Sequence, residues 1–139
     1  PVPLTSLQRR LPVSRIKHMF SEMPFMQTTN LIVFVDVDDT LVRTVGTKRI
    51  PMVSTIEHVR RLKAEGVQLF CWSAGGADYA REVAIDFHLA DCFIAFLPKP
   101  HVMIDDQPPV EWSRTRLIHP ASCTGHSATN YCELLDSSH

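Results

Sequence analysis

The chain has 139 residues, of which 45% are hydrophobic and 21% are charged, and its formal net charge is −1. This length suits one domain with its own core, and the composition is that of an ordinary globular protein. The near-neutral charge excludes a general electrostatic attraction to nucleic acid or to anionic membranes, and no apolar run has the length of a membrane span. We therefore expect no membrane partner.

The four cysteines are Cys71, Cys92, Cys123 and Cys132, and they show no close spacing. Cys71 and Cys92 lie in apolar segments that resemble strands, so we interpret the cysteines as buried free thiols in a reducing compartment. The N-terminal region lacks the apolar stretch of a secretory signal. These observations predict a cytoplasmic protein.

The first 30 residues are expected to form an appendage, because prolines at positions 1, 3, 12 and 24 are unfavourable for a core. Within this appendage, residues 14–23 are predicted to form a short helix that places Ile16, Phe20 and two methionines on one face.

A buried strand is predicted at residues 31–35, because the sequence Leu-Ile-Val-Phe-Val is uncharged and rich in β-branched residues. The strand is followed at once by Asp36, Asp38, Asp39 and Thr40. Like charges this close repel by about 4 kcal/mol per pair at about 4 Å in a partly screened site. A fold tolerates such a cluster when it gains a bound cation or a protonated member, so the cluster predicts a functional site.

From residue 41 to residue 119 the sequence alternates between helical and strand patterns. The predicted elements are a flap hairpin over 41–50, a helix over 53–65, a strand at Val67–Trp72, a helix over 77–89, and strands at Cys92–Phe96, Val102–Ile104 and Arg116–Ile118. This alternation predicts an α/β core domain over 31–119, with a mainly parallel five-stranded sheet covered by helices on both faces. Residues 120–139 show no clear periodicity and are expected to be an irregular tail.

Three further polar elements follow predicted strands. Ser73 precedes a glycine turn into a helix, Lys99 lies between Pro98 and Pro100, and Asp105-Asp106 follow the fourth strand. Taken singly, the serine is explained by a helix cap, the lysine by a solvated loop and the two acids by a turn. In a parallel sheet, however, all the strand ends share one edge, where they would supply an acidic cation site and donors for phosphate oxygens.

The order Asp36-Val-Asp38-Asp39-Thr40, then Ser73, Lys99 and Asp105-Asp106, resembles the four motifs of the haloacid dehalogenase-like (HAD) hydrolase superfamily over roughly residues 31–112. The resemblance implies a Rossmann-like three-layer sandwich with a flap directly after the first strand. It also implies a magnesium-dependent phosphatase, a phosphomonoester hydrolase that acts through an aspartyl-phosphate intermediate.

The resemblance also implies a role for each matching residue. Asp36 would be the nucleophile, and Asp38 would protonate the leaving oxygen and then deprotonate water. Ser73 and Lys99 would hold phosphate oxygens, with Lys99 also offsetting the charge on Asp36. Asp39 is expected to point away from the chemistry.

Magnesium would be held by oxygen ligands, as this cation prefers. The resemblance implies the Asp36 carboxylate, the Asp38 backbone carbonyl and an acid of the fourth motif. Asp106 is favoured as the direct ligand, with Asp105 in the second shell or bound through water. Thr40 would fix the loop.

Larger members of this superfamily insert a cap domain within the flap or between the Ser and Lys motifs. Here the flap covers only residues 41–50 and only a helix and a strand separate Ser73 from Lys99, so the chain resembles the capless members. Such an open site favours a macromolecular substrate or a lid from a second subunit of a homo-oligomer. The candidate selectivity residues are Arg43, Lys48, Arg49 and Trp112, although the three basic residues also fit an ordinary solvated hairpin.

Several alternatives stay open beside a phosphatase acting on a small phosphorylated molecule. The same chemistry could act on a nucleic-acid or protein phosphate, and the fold could serve as a binding or regulatory module with little or no turnover. A phosphoacceptor signalling domain is disfavoured, because in that class the lysine comes last, whereas here Lys99 precedes Asp105-Asp106.

Overall fold

The computed structural model describes residues 26–137, and within them the chain is a mixed α/β protein. The strands are β1 (Ile32–Asp36), β2 (Val42–Val45), β3 (Lys48–Pro51), β4 (Gln68–Ser73) and β5 (Ala95–Pro98), and the helices are α1 (Val53–Ala64), α2 (Ala77–Asp86), α3 (Pro120–Cys123) and α4 (Ala128–Asp136). Short 3₁₀ turns occupy Thr28–Asn30, Ala90–Cys92 and Pro109–Glu111. The helix predicted over residues 14–23 lies outside the described residues.

The central sheet contains three parallel strands in the order β1-β4-β5. Phe34 lies opposite Phe70, which in turn lies opposite Ala95, so these three residues share one face. The hairpin β2–β3 and helix α1 connect β1 to β4, and helix α2 connects β4 to β5, which confirms the predicted alternation for these elements. The third parallel strand starts three residues later than predicted, because Ala90–Cys92 forms a 3₁₀ turn.

The prediction of five parallel strands is wrong. Val102–Ile104 and Arg116–Ile118 form no strand, and Ile104 and Leu117 are almost fully exposed. Each segment is only three residues long, so it offers few ladder hydrogen bonds. The prolines around the first segment, at positions 98, 100, 108 and 109, further remove backbone donors.

The two faces of the sheet differ in burial. Val35 and Leu69 are 7% and 0% exposed on one face, whereas Ile32 and Phe34 are 58% and 44% exposed on the other. On that second face the Phe34 ring contacts the Trp72 ring edge-on, with 4.9 Å between the ring centroids. The described residues therefore bury one face of the sheet and leave the other partly exposed, in contrast to the predicted three-layer arrangement.

The flap predicted over residues 41–50 is confirmed as an antiparallel hairpin. Strands β2 and β3 pair from Val42 opposite Pro51 to Val45 opposite Lys48. Gly46 occupies the turn with a φ of 62°, a left-handed value that suits glycine. Leu41 and Val42 are buried at the base of the hairpin and join it to the core.

The C-terminal segment is not the irregular tail that the sequence predicts. Helix α4 begins with a capping box between Ser127 and Asn130. Its buried residues, Ala128, Tyr131, Cys132 and Leu135, recur at the spacing of one helix face and join the main core. All four cysteines of the chain are free and buried, as predicted, and none of the described helices is long and apolar enough to cross a membrane.

A buried hydrogen bond joins α1 to α4: His58 Nε2 lies 2.8 Å from the Tyr131 hydroxyl. Burial lowers the pKa of His58, Arg61 and His126 lower it further, and Glu65 opposes them. A proton therefore binds the unfolded chain more readily than the folded one, so the stability that neutral His58 contributes is present above about pH 6.5 and is lost as the pH falls.

We expect the free energy of unfolding, measured with urea, to fall between pH 7.5 and pH 5.5, with a contribution from His58 of at most about 1.4 kcal/mol per pH unit. Replacing His58 with Asn is expected to make this fall shallower. His101→Asn, at an exposed position, is the matched control and is expected to keep the wild-type slope. Equal slopes in all three proteins would contradict the prediction.

Candidate active site

The C-terminal ends of the three parallel strands carry the residues predicted to form the site. Asp36 is the last residue of β1 and lies opposite Trp72 of β4. Ser73 is the last residue of β4, opposite Pro98, and Lys99 follows directly after β5. The parallel order therefore brings Asp36, Ser73 and Lys99 to one edge of the sheet, as predicted.

Both oxygens of the Asp36 carboxylate have partners. Lys99 Nζ lies 3.0 Å from Oδ1, and the Thr40 hydroxyl donates to Oδ2 at 3.3 Å. The backbone N–H of Lys99 donates to the Ser73 carbonyl at 2.9 Å, and its ammonium lies 5.8 Å from the centre of the Trp72 ring. The ion pair is about one-third exposed, so it contributes little to stability. Its main effect is to fix the orientation of Asp36.

A tight loop follows Asp36. The backbone N–H groups of residues 40–42 all donate to the Val37 carbonyl, and Val37 is fully buried. Asp39 has a φ of 59°, a left-handed conformation that Asp tolerates better than most residues. Asp38 follows the buried Val37 in the chain, and this loop leaves Asp38 exposed at the edge of the sheet.

Asp38 has a partner that the sequence did not indicate. The Tyr79 hydroxyl donates to Asp38 Oδ1 at 2.7 Å. Burial raises the pKa of Tyr79, and the hydrogen bond to Asp38 and the negative charge of Asp38 raise it further. The phenol therefore keeps its proton at neutral pH and acts as a donor to the carboxylate.

Ser73 lies at the predicted strand end but is only 1% exposed. Its Oγ accepts a hydrogen bond from Gly75 N at 3.0 Å, and its carbonyl accepts one from Gly76 N at 3.1 Å. Gly76 has a φ of 104°, which favours glycine, and α2 begins at the next residue. In this conformation Ser73 shapes the turn into α2, and its hydroxyl does not reach the surface.

Asp105 and Asp106 lie in an exposed segment that belongs to no strand. The Asp105 carboxylate accepts a hydrogen bond from Gln107 N at 2.9 Å. Within residues 26–137 no three His, Cys, Asp or Glu side chains form a group that could hold a metal ion.

The oxygen donors beside Asp36 nevertheless fit a hard cation in part. The Asp38 carbonyl accepts no hydrogen bond from the described residues, and it lies two positions along the chain from the Asp36 carboxylate. Magnesium commonly keeps several waters and binds only one or two carboxylates of a protein. The Asp36 carboxylate and the Asp38 carbonyl suit that type of binding, whereas Asp105 and Asp106 would have to approach to complete it.

The predicted selectivity residues of the flap face acidic residues of the same chain. Arg43 Nε lies 3.3 Å from Asp39 Oδ1. The Arg49 guanidinium lies 3.5 Å from Glu82 and 3.3 Å from Asp86, both on α2. Arg49 thus connects the flap to α2, and the charge of both arginines is partly neutralised.

Among the described residues, the two other candidates for selectivity form no hydrogen bond or ion pair with Asp36. Lys48 is exposed at the start of β3. Trp112 is half-buried after the last 3₁₀ turn, and its indole N–H donates to the Gln107 carbonyl at 3.3 Å. Neither residue has a described contact with the strand ends.

The sequence therefore identified the strand-end residues but missed Tyr79 and Trp72, which contact two of them. Tyr79 lies on the first turn of α2, the helix that starts after the glycine turn. A side chain on this first turn lies close enough to contact the strand ends. The apolar pattern of the helix, however, gives no sign that Tyr79 does so. Comparisons of the chain with protein-family profiles, with curated proteins and with solved structures gave no match.

Proposed function

We propose that the protein is a magnesium-dependent phosphomonoester hydrolase that forms an aspartyl-phosphate on Asp36. The observation that carries this proposal is the contact of Lys99 and Thr40 with the two oxygens of Asp36, at 3.0 and 3.3 Å. Lys99 follows directly after β5, which lies two strands away from β1 and Asp36, so the fold rather than the local sequence brings the two charges together.

The electrostatics of this pair suit attack on a phosphate ester. A phosphate monoester carries about two negative charges at neutral pH, and a carboxylate nucleophile would repel it. The Lys99 ammonium offsets that repulsion at the point where the two anions meet. Positive charge placed in advance at this point stabilises the transition state more than a solvated lysine would.

The reaction proceeds in two displacements. In the first, an Asp36 carboxylate oxygen bonds to phosphorus, the bond from phosphorus to the ester oxygen breaks, and Asp38 gives a proton to the leaving oxygen. In the second, Asp38 takes a proton from water, the water oxygen bonds to phosphorus, the bond from phosphorus to the Asp36 oxygen breaks, and inorganic phosphate leaves. Asp36 is then restored as a carboxylate and Asp38 is again protonated.

The Asp36 carboxylate and the Asp38 carbonyl are the residues we propose to hold magnesium, with Asp106 or Asp105 supplying the further carboxylate. Bound magnesium would withdraw negative charge from the phosphoryl oxygens. Thr40 keeps the Asp36 carboxylate in one orientation through its hydrogen bond to Oδ2, which reduces the conformational cost of the attack.

A small phosphorylated molecule is the substrate class that the surroundings favour. Arg43 and Arg49 pair with acidic residues of the same chain, so the flap offers little free positive charge to a polyanion. Asp38, the group next to the leaving oxygen, is exposed. A phosphate on a protein or nucleic acid is therefore the second candidate, because an exposed site does not exclude a large leaving group.

Turnover of a panel of phosphate esters tests the proposal. The panel contains p-nitrophenyl phosphate, sugar phosphates, nucleotides and a phosphopeptide, each assayed with magnesium and with excess EDTA. We expect hydrolysis that EDTA abolishes, and a phosphate adduct on the peptide containing Asp36 in rapidly acid-quenched samples. No turnover across the panel would contradict the proposal and favour a binding module, and a stable phosphorylated form would favour a signalling role.

A further inference from the structure

Tyr79 makes the shortest described contact with either acid of the proposed mechanism. Its hydroxyl donates to Asp38 Oδ1 at 2.7 Å, across 41 positions of the chain. Asp38 is exposed, whereas Tyr79 is half-buried on the first turn of α2. An exposed carboxylate samples several rotamers unless a neighbour holds it, and here the neighbour belongs to a rigid helix.

The Tyr79 ring is itself held on two sides. A Cβ placed on Gly75 would lie 2.9 Å from the Tyr79 ring and 3.4 Å from Ser73 Oγ, so the ring fills the space that glycine leaves. On the other side the Arg49 guanidinium lies 5.1 Å from the ring centroid. A cation over an aromatic face is attracted to it, so both contacts favour the observed ring position.

Arg49 in turn is fixed by α2, since it lies within 3.5 Å of both Glu82 and Asp86. These acids are three and seven positions after Tyr79, so they lie on the same side of the helix. The flap, the glycine turn and α2 therefore meet at the Tyr79 ring, and the hydroxyl at its end points to Asp38.

We propose that Tyr79 is a positioning residue that binds Oδ1 of Asp38 and so assigns Oδ2 as the oxygen that carries the proton to the leaving group. This inference rests on the proposed phosphatase function. The substrates for which it matters are esters of poor leaving groups, such as alkyl phosphates, because an alkoxide must be protonated as it departs. An activated aryl ester leaves as a stable phenolate and needs little help.

The proton transfers of the two displacements balance without a proton from Tyr79. The tyrosine keeps its own proton in both displacements and serves only as a hydrogen-bond donor. The proton on Asp38 Oδ2 moves to the ester oxygen when the first bond breaks, and a proton from the attacking water returns to Oδ2. Loss of the phenol hydroxyl therefore leaves the acid present but less well oriented.

The Tyr79→Phe variant tests this role with two substrates, an alkyl phosphate and p-nitrophenyl phosphate, at saturating magnesium. We expect the rate constant for phosphorylation of Asp36, measured by rapid acid quench, to fall about 10- to 100-fold with the alkyl ester and less than about threefold with the aryl ester. Dephosphorylation is expected to slow equally with both esters, because Asp38 takes the proton from water in each case. Tyr131→Phe is the matched control, because it removes a phenol that hydrogen-bonds His58 in the core. It is expected to leave both rates unchanged below its unfolding temperature.

A second readout is independent of activity. Three-bond NMR couplings of the Asp38 side chain are expected to report one rotamer in the wild-type protein and rotamer averaging in Tyr79→Phe. Equal slowing of Asp36 phosphorylation with both esters, loss only in KM, or unchanged couplings would overturn the role of Tyr79 while leaving the phosphatase intact. A wild-type protein that hydrolyses neither ester would instead overturn the phosphatase function on which this role rests.

Discussion

Asp36→Asn is expected to reduce the rate of phosphomonoester hydrolysis by about 10³-fold or more. The amide has nearly the shape of the carboxylate and still accepts a hydrogen bond from Thr40, but it is uncharged and a far weaker nucleophile. The Lys99 ammonium, now 3.0 Å or so from a neutral group, would still attract phosphate. We therefore expect the loss to appear in kcat, with KM unchanged or lower.

Asp39→Asn is the matched control for this substitution. Asp39 lies in the same acidic cluster, but its side chain is 75% exposed and pairs with Arg43 rather than with Lys99. Asn also tolerates the left-handed backbone of this position, where φ is 59°. Steady-state rates with p-nitrophenyl phosphate are expected to stay within about twofold of wild type. Comparable losses in both variants would show that the reaction needs the negative charge of the acidic cluster and not Asp36 in particular.

The strand-end site was predictable because its signals are local. An uncharged β-branched run that ends in Asp36 specifies a buried strand and the point where it reaches solvent. The parallel order then follows from alternating strands and helices, and it places Ser73 and Lys99 at the same edge.

The size of the sheet was not predictable from local signals. The apolar triplet Val102–Ile104 has the composition of a short strand, yet it lies exposed. Whether three such residues join a sheet depends on a partner edge, and propensity cannot supply that information. Helix α4 was not predicted, because its apolar positions are separated by Thr, Asn and Glu and its apolar pattern is therefore weak. The capping box at its start is the clearer sequence signal for this helix.

The directions in which side chains at the site point could also not be predicted from the sequence. Ser73 was predicted to follow its strand but is the last residue of β4, and the alternation of β4 turns it to the buried face, as the exposed fractions of Leu69 and Cys71 show. Arg49 was expected near substrate, yet acids on α2 attract it, and those acids lie 33 and 37 positions away. Such pairings depend on packing between elements, which no local pattern encodes.

Leu69→Ala is expected to lower the free energy of unfolding by about 3–4 kcal/mol. Leu69 is 0% exposed and is the second residue of β4, the strand that lies between β1 and β5. Truncation removes buried apolar area and leaves a cavity that a paired central strand cannot close by moving. This cost is a large fraction of the roughly 5–15 kcal/mol that stabilises a typical domain.

Leu117→Ala makes the same chemical change at a side chain that is 98% exposed, and we expect it to alter the free energy of unfolding by less than about 0.5 kcal/mol. Urea titrations of the two variants provide the measurement, and similar midpoints would show that β4 is not central to the core. Because Leu69 lies four residues before Ser73, the strand end keeps its geometry as long as the fold persists. Leu69→Ala should therefore hydrolyse phosphate esters at the wild-type rate at low temperature and lose activity at a lower temperature than the wild-type chain.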